Sequence, residues 1–285
     1  MSAVGVIGLG IMGSAMSANL VKGGFAVQGF DVLAENRAAL GQAGGAPVAG
    51  AEHIDAPIVI TSLPSARALH ETARALGHRC IVVETSTLPI DEKLAARDTL
   101  RAKGIALLDC PLSGTGAQAK AKDLSVYASG DREAYERCVP VFGGFARSHY
   151  YLGEFGNGSR MKFVANLLVA IHNVAAAEAF ALGLKAGLDP QTLYQVIGDG
   201  AGSSRMFQVR GPQMVAGRYD EATMKVEVWQ KDMKIIGEFA AQLGVPTPLF
   251  HASAGLYTAA MALGFGKQDT ASVCAVLEKL AGIAR

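Results

Sequence analysis

The fold of the N-terminal half is decided by the segment Val4-Gly5-Val6-Ile7-Gly8-Leu9-Gly10-Ile11-Met12-Gly13. It is a β-rich run followed directly by a G-x-G-x-x-G pattern, and a helix-like stretch then continues to Lys22. In this arrangement the first glycine permits a tight turn, the second lets a pyrophosphate approach the backbone, and the third lets the helix pack on the strand. We therefore expect Gly8, Leu9, Gly10, Ile11, Met12 and Gly13 to bind a dinucleotide, with helix N–H groups facing its phosphates. The alternative is a plain structural turn, which the flanking strand and helix disfavour.

Strand and helix signals continue to alternate outward from this segment. Further strands are predicted at Ala26–Asp31, Ile58–Leu63, Cys80–Thr85, Ile105–Asp109, Leu124–Ala128 and His149–Leu152. Helices between most of them are predicted at Ala34–Gln42, Ala66–Leu76 and Asp91–Ala102. This alternation is typical of a mostly parallel, doubly wound sheet. We expect an α/β Rossmann-type domain over residues 1–155.

The pattern changes after Gly158, where no convincing strand follows. Ser159–Lys185 reads as one long Ala-rich helix, and Asp189-Pro190 supplies an N-cap with proline at the first helical position of the next. Later helices are predicted at Ser203–Val215, Val226–Leu243, Leu249–Leu263 and Thr270–Ile283, the last capped by Asp269. The sequence thus predicts an all-α domain over residues 156–285, entered through a long helix.

Composition and charge argue against several classes of protein. Half of the 285 residues are hydrophobic and 18% are charged, which suits a sizeable core. The formal net charge is +1, without a run of five or more Lys or Arg, so we expect neither nucleic-acid nor membrane partners. The start of the chain lacks signal-peptide features, and no 18-residue stretch is free of polar groups. Four separated cysteines suggest buried thiols in a cytoplasmic protein, with no metal site.

The end of the second predicted strand bears on cofactor choice. Asp31 stands where a carboxylate accepts hydrogen bonds from the adenosine ribose and repels a 2′-phosphate. The next residues are Val32 and Leu33, and Arg37 lies further on in the helix, where we interpret it as a solvated charge. NAD is therefore favoured over NADP. A SAM-dependent methyltransferase, which also uses a Gly-rich turn and a strand-end acid, remains an alternative on these residues alone.

A series of motifs along the rest of the chain reduces that alternative. They are Asn19-Leu20, Leu63-Pro64, Glu84-Thr85-Ser86-Thr87-Leu88-Pro89, Asp109-Cys110-Pro111-Leu112-Ser113-Gly114-Thr115, Gly153-x-x-Gly156-x-Gly158-x-x-x-Lys162-x-x-x-Asn166 and Lys231-Asp232. Together with the glycine motif, this series resembles the β-hydroxyacid dehydrogenases of the 6-phosphogluconate dehydrogenase superfamily. The resemblance runs from about residue 4 to residue 280.

The resemblance implies a role for each matching residue. Lys162 matches the family's catalytic lysine, and Asn166 matches the asparagine that helps place the substrate. Ser113, Gly114 and Thr115 match the loop that holds the substrate carboxylate. Cofactor contacts are implied for Leu63, Pro64 and Thr87, and Lys231 matches a lysine near both nicotinamide and substrate acid.

The residues themselves agree with these roles without requiring them. Lys162 and Asn166 are four apart and share one face of a helix. A lysine at an apolar helix start is costly to bury unless its proton equilibrium is useful, although it could equally snorkel to solvent. Ser113 follows an apolar strand in a Gly-containing turn, which is either a small anion site or an ordinary turn.

Departures from the family pattern concern the substrate. Thr115 replaces the usual second glycine, and Arg205 stands where many relatives carry an aromatic residue. We expect Arg205 to lie near the cleft and to bind a second acidic or strongly polar group of the substrate. The alternative is that Arg205 pairs with a protein carboxylate or faces solvent.

The sequence therefore predicts an NAD-dependent oxidoreductase that transfers hydride between nicotinamide and the hydroxyl-bearing carbon of a small anionic hydroxyacid or keto-acid. Lys162 is the predicted general acid and base. The alternatives are an imine reductase-like enzyme, which is expected to lack Lys162, and a non-catalytic dinucleotide-binding module. Ala- and Gly-rich helices in the C-terminal part favour a homodimer or homotetramer.

Overall fold

The computed structural model describes residues 3–285, in which nine strands and twelve α-helices are present. Met1 and Ser2, which the predicted N-terminal domain includes, lie outside the described residues. The strands are β1 (Ala3–Ile7), β2 (Ala26–Phe30), β3 (Ala46–Pro47), β4 (Ile58–Thr61), β5 (Ile81–Glu84), β6 (Ala106–Asp109), β7 (Leu112–Ser113), β8 (Ser125–Ala128) and β9 (Ser148–Tyr151). The helices are α1 (Ile11–Lys22), α2 (Ala34–Gln42), α3 (Ala66–Ala75), α4 (Ile90–Arg101), α5 (Gly116–Lys120), α6 (Arg132–Phe145), α7 (Asn157–Lys185), α8 (Pro190–Asp199), α9 (Arg205–Ala216), α10 (Val226–Gln242), α11 (Pro248–Ala262) and α12 (Val273–Leu280).

Strands β1 to β6 form one parallel sheet in the order β3-β2-β1-β4-β5-β6. The order reverses beside β1, which is the position where open α/β sheets bind ligands at the carboxyl ends of their strands. The register aligns those ends in one row: Ile7 pairs with Phe30 and Thr61, Thr61 pairs with Glu84, and Glu84 pairs with Asp109. The segments that follow these strands therefore emerge side by side.

Both faces of this sheet are buried, as expected for parallel strands covered by helices. Because successive side chains point to opposite faces, Val4 and Val6 enter one core with α1 and α6 residues, while Ile7 enters the other. The same alternation separates Ile60 from Val59 on β4. The predicted Rossmann-type α/β fold is confirmed in this part of the chain.

The turn from β1 into α1 has no room for side chains at two of its glycines. Gly8 has φ +87°, and a Cβ atom there would lie 2.1 Å from the Ser62 carbonyl oxygen. A Cβ atom at Gly13 would lie 1.8 Å from the Gly8 carbonyl oxygen. A Cβ atom at Gly10, by contrast, would meet no atom within 4 Å. Packing within the protein thus accounts for the first and third glycines of the motif and leaves the second unexplained.

The chain beyond β6 differs from the single sheet that the alternation predicts. Strands β7, β8 and β9 form a separate sheet, in which β7–β8 is antiparallel and β8–β9 is parallel. It joins the end of β6 through the Asp109–Ser129 bridge. Helix α6 was not predicted because Pro140 and two glycines interrupt its helical signal, although its Asp131 cap accepts a hydrogen bond from Ala134 N at 2.7 Å.

Two compact units divide within α7, one ending at Lys162 and the other comprising residues 163–285. The second unit contains helices and no strand within residues 163–285. The predicted caps are confirmed, since Asp189 accepts from Thr192 N at 2.8 Å and Asp269 accepts from Ala271 N at 3.0 Å. Buried Asp269 also pairs with Arg210, so the last helical segment is fixed by a buried ion pair.

Helix α7 is long and apolar enough to cross a membrane by length and composition, unlike any other helix described in residues 3–285. However, 44% of its most apolar window is buried. Its buried Asn173 donates hydrogen bonds to Tyr257 Oη at 3.0 Å and to the Thr270 carbonyl at 2.9 Å. These contacts join α7 to α11 and to the segment before α12 within the second unit.

The glycine turn yields a prediction about stability. Gly13→Ala should lower the free energy of unfolding by about 2–3 kcal/mol, because the added Cβ meets a backbone carbonyl that cannot rotate away. Gly10→Ala is the matched control and should cost less than about 1 kcal/mol, the range for a helix N-cap change. Urea unfolding of both variants without nucleotide measures the difference. Equal losses for the two variants would contradict this account of the turn.

Candidate functional site

The N-terminus of α1 offers backbone donors to an anion. Its N-cap is Gly10, which supplies no side-chain hydrogen bond, and its first turn holds no acidic residue. Gly10 and Ile11 are exposed, while Leu9 and Gly13 are buried. The first N–H groups of a helix lack intrahelical partners and carry partial positive charge. Together with the open space at Gly10, this end of α1 fits a pyrophosphate.

The Asp31 carboxylate is tied to this same turn. One of its oxygens accepts a hydrogen bond from Leu9 N at 2.7 Å, and the other accepts from Leu33 N at 2.8 Å. Asp31 is only 9% exposed, whereas its neighbour Val32 is 82% exposed. Each carboxylate oxygen has a second lone pair, so the group can still accept from a ribose hydroxyl. The structure thus brings Asp31 to the glycine turn.

Arg37 does not lie free in solvent, so the interpretation as a solvated charge was wrong. Its Nη1 donates to the Asp31 carbonyl at 2.5 Å and to the Val32 carbonyl at 3.2 Å. The guanidinium also lies 6.0 Å from the centre of the Phe30 ring. Sequence spacing placed Arg37 on the helix but gave no sign that the end of β2 leaves carbonyls for it to bind.

The two other predicted cofactor loops are joined by Ser86. Its hydroxyl accepts a hydrogen bond from Leu63 N at 2.8 Å, which links the segment after β4 to the segment after β5. Leu63 and Thr87 are half-buried and Pro64 is exposed. The structure therefore brings Leu63 beside Ser86, the residue that precedes Thr87.

A fully buried ion cluster lies beneath these loops, and sequence reasoning missed it. Lys93, on α4, places its Nζ 2.5 Å from Glu84 Oε2 and 2.8 Å from Asp109 Oδ1. The same Nζ donates to the Ser86 carbonyl at 2.7 Å. All three charged side chains are 0% exposed. Burial opposes the charge on Lys93, but the carboxylates of Asp109 and Glu84 raise its pKa above the ordinary lysine value.

Asp109 connects this cluster to the start of α7. Ser159 donates to it twice, from its backbone N at 2.7 Å and from its hydroxyl at 2.8 Å. A Cβ atom at Gly158 would lie 2.6 Å from the Asp109 carbonyl oxygen and 3.1 Å from Pro111 Cδ, so the helix start packs tightly on this segment. Lys162 is half-buried and follows Ser159 by three residues on α7.

In the loop predicted to bind the substrate carboxylate, Thr115 forms hydrogen bonds within the protein. Thr115 is the N-cap of α5, and its N–H donates to Gln118 Oε1 at 3.0 Å in a capping box. Gly114 has φ +133°, while Ser113 is half-buried and ends β7. The capping box gives a physical reason for threonine at this position, and it leaves Ser113 and the Gly114 amide as the loop's candidates for binding an acid.

In the second unit, Asn166 and Lys231 meet through Asp232. Asn166 is 4% exposed and donates to Asp232 Oδ2 at 3.1 Å. Lys231 Nζ lies 3.4 Å from Asp232 Oδ1. Asp232 belongs to the Lys231-Asp232 motif, but nothing in the sequence spacing indicates its contact with α7.

Arg205 begins α9 and is exposed. Its guanidinium is therefore accessible to a ligand from solvent.

Burial disfavours the thiolate form of the cysteines. All four cysteines are free and buried, as expected from their spacing. Burial raises the pKa of Cys80 to about 11 and the pKa values of Cys138 and Cys274 to about 12. Residues 3–285 contain no cluster of three or more His, Cys, Asp or Glu side chains suited to a metal ion.

Comparison with known proteins places the chain in a family. Residues 3–153 match the profile described as the NAD binding domain of 6-phosphogluconate dehydrogenase. Residues 156–277 match the profile described as NAD-binding of NADP-dependent 3-hydroxyisobutyrate dehydrogenase. An L-threonate dehydrogenase from Cupriavidus necator is 33% identical over 280 residues, covering 95% of this chain and 94% of that protein.

More distant relatives support the same placement. A 2-(hydroxymethyl)glutarate dehydrogenase from Eubacterium barkeri is 28% identical and covers 98% of this chain and 96% of its own length. The crystal structure of 3-hydroxyisobutyrate dehydrogenase from Salmonella typhimurium has a TM-score of 0.88 and 28% identity. It covers 97% of this chain and 100% of that chain. The chain belongs to the β-hydroxyacid dehydrogenase family of nicotinamide-dependent oxidoreductases.

Proposed function

We propose that this protein is an NAD-dependent hydroxyacid dehydrogenase in which Lys162 is the general acid and base. The observation that carries the proposal is the double hydrogen bond from Ser159 to Asp109. It anchors the first turn of α7, and with it Lys162, against the strand end that leads to Ser113. A proton-transfer residue and an anion-binding loop built on one anchored segment suit an acid that bears a reacting hydroxyl.

The glycine turn and Asp31 are the groups that would hold the dinucleotide, because open space at Gly10 and the donors of α1 fit its phosphates. A bound nicotinamide would supply the hydride chemistry at the substrate carbon. Ser113 and the Gly114 amide bind the substrate acid. The neutral amine of Lys162 takes the hydroxyl proton in oxidation, and its protonated form returns that proton in reduction.

A lysine works in this way near neutral pH only if its pKa falls below the ordinary value. Lys162 is half-buried in the second turn of α7. Asn166 lies one turn further along the same helix and is held by Asp232. We assign Asn166 and Lys231 to orienting the substrate, as the family resemblance implies.

Two other functions receive less support. Solved imine reductases share the fold with TM-scores of 0.64 and 0.60 but are only 18% and 22% identical. A non-catalytic dinucleotide-binding module would not need Lys162, Asn166 and Ser113 together. Dehydrogenases among the curated relatives, by contrast, match nearly the full length of this chain.

Asp31 supports NAD as the preferred form of the cofactor. Its carboxylate is fixed beside the turn by two backbone donors, where it would accept from a ribose hydroxyl and repel a 2′-phosphate. Arg37 is the competing feature, since its guanidinium binds the carbonyls of Asp31 and Val32 nearby.

The relatives are named for small hydroxyacids and semialdehydes, which supports a small anionic substrate.

We place the protein in the cytoplasm as a homodimer or homotetramer. Apolar side chains exposed on α7, such as Val164 at 56% and Leu182 at 74%, support an oligomer. Sedimentation equilibrium decides the last point, and the mass of a single chain would contradict it.

Loss of the Lys162 amine should remove proton transfer. Lys162→Ala should lower kcat by roughly 10²–10⁴, while the Kd of NADH changes much less. Lys162→Arg should also be poor, because guanidinium does not readily release a proton. Steady-state kinetics on 3-hydroxyisobutyrate, glycerate, threonate and phosphonate analogues measures the effect. Lys185→Ala, at the other end of α7, is the control and should keep kcat. A Lys162 variant with near-normal kcat would end the proposed role.

Cofactor preference should follow Asp31. We expect kcat/KM for NAD to exceed that for NADP by about tenfold or more, which corresponds to roughly 1.4 kcal/mol. If Arg37 instead governs the 2′ position, NADP will be used as well as NAD, and Arg37→Ala will abolish NADP use selectively.

We further propose that Arg205 binds a second acidic group of the substrate. Arg205→Ala should cost roughly 1.5–3 kcal/mol in kcat/KM for a doubly acidic hydroxyacid but little for the matching monocarboxylate. Small and equal effects on both compounds would remove Arg205 from the substrate site.

A further inference from the structure

We propose that the buried cluster of Lys93, Glu84 and Asp109 is a positioning device that fixes the cofactor loops through one carboxylate and the helix carrying Lys162 through the other. The proposal rests on the proposed function, because it assigns a purpose to these residues in the same site. None of the three side chains reaches solvent, so they act through the segments they hold.

The first arm of the device runs through Glu84. Its Oε1 accepts from Ser86 N at 2.9 Å, while its Oε2 faces Lys93. Lys93 in turn donates to the Ser86 carbonyl, so both backbone polar groups of Ser86 are bound by the cluster. The Ser86 hydroxyl is then left to receive Leu63 N. This arm therefore sets the relative position of the Leu63-Pro64 and Ser86-Thr87 segments, which are the proposed cofactor loops.

The second arm runs through Asp109. One of its oxygens receives Lys93 Nζ and the Ser159 hydroxyl, and the other receives Ser159 N and, at 3.3 Å, the Ser129 hydroxyl. The Ser129 hydroxyl also accepts from Gly158 N at 2.9 Å. Two successive amides at the start of α7 are thus tied to the end of β6. Lys162 follows within one turn, so its distance from the loop after Asp109 depends on this arm.

The composition of the cluster supports a positioning role over a purely stabilising one. Two carboxylates and one ammonium give a formal charge of −1 at a fully buried point. An apolar core of similar volume is often as stable as a buried ion pair or more so. The cluster forms its hydrogen bonds with the Ser86 and Ser159 segments, which lead to Thr87 and Lys162 of the proposed site, and not with the centres of the strands.

Removing Lys93 would leave two buried carboxylates facing each other and could prevent folding. The arms are better tested separately. Ser159→Ala deletes only the hydroxyl bond to Asp109, and Glu84→Gln removes one charge while leaving the Lys93–Asp109 pair. Ser253→Ala is the control for the first, since its buried hydroxyl donates to the Phe250 carbonyl at 2.7 Å. Glu278→Gln is the control for the second, because buried Glu278 pairs with Arg285 in the other unit.

The two arms should separate kcat from cofactor binding. Ser159→Ala should lower kcat by about tenfold or more, because misplacing a reacting group is costly, with the Kd of NADH nearly unchanged. The deuterium isotope effect on kcat, measured with a hydroxyacid deuterated at its carbinol carbon, should be larger for Ser159→Ala than for the wild type. Glu84→Gln should raise the Kd of NADH by about threefold or more, as expected for a weakened hydrogen-bonded support. Fluorescence titration measures that Kd without turnover. Both controls should lose stability but keep kcat and Kd.

If Ser159→Ala matches Ser253→Ala in kcat and isotope effect, or Glu84→Gln matches Glu278→Gln in Kd, the corresponding arm is only structural and the proposal is overturned. Failure of the proposed function gives a different result. In that case wild-type protein oxidises no hydroxyacid of the panel, which overturns the Asp109 arm as well, while NADH titration still decides the Glu84 arm.

Discussion

The N-terminal unit is organised by the contact between Gly13 and the Gly8 carbonyl, where a helix meets the end of a strand with no space for a Cβ atom. This contact fixes α1 closely against the turn that leads out of β1. Gly8 also approaches the Ser62 carbonyl, so the turn is fixed against the next strand of the sheet. Because neighbouring strands end in register, the segments that follow β2, β4, β5 and β6 emerge at the same edge of the sheet as this turn.

Acidic side chains at the carboxyl ends of the strands hold the segments around this turn in place. Asp31 receives an amide of the glycine turn, while Glu84 and Asp109 share Lys93. Each of these acids is the last residue of a strand or the residue directly after it. A carboxylate at a strand end can accept hydrogen bonds from backbone N–H groups of a neighbouring segment. Such bonds restrict the motion of the loops that follow the strands.

The α/β fold was accessible from the sequence because its signals are local. Short apolar runs bounded by turn residues predict β1, β2, β4, β5 and β6, and caps such as Asp189 predict the starts of helices. Helix α6 and the separate sheet of β7–β9 were not predicted, since Pro140 weakens the helical signal and strand partners are set by tertiary contacts.

For the proposed site, too, the residues that could be predicted are those with a local signal in the sequence. Glycines whose spacing has a steric reason, and Asp31 at a strand end, could be predicted from sequence. Lys162, Ser113 and Lys231 required a family resemblance, because one lysine or serine resembles any other in a single sequence. The contacts of Lys93 and Ser159 join residues far apart in the chain, so no local pattern could indicate them.

The central claim is that hydride passes directly between a hydroxyacid and the nicotinamide. The most direct test is oxidation of a hydroxyacid deuterated at its carbinol carbon, followed by mass spectrometry of the isolated NADH. The account predicts that the deuterium appears in the nicotinamide ring of every NADH formed. NADH that carries no deuterium, or a failure to reduce NAD with any hydroxyacid of the panel, would contradict it.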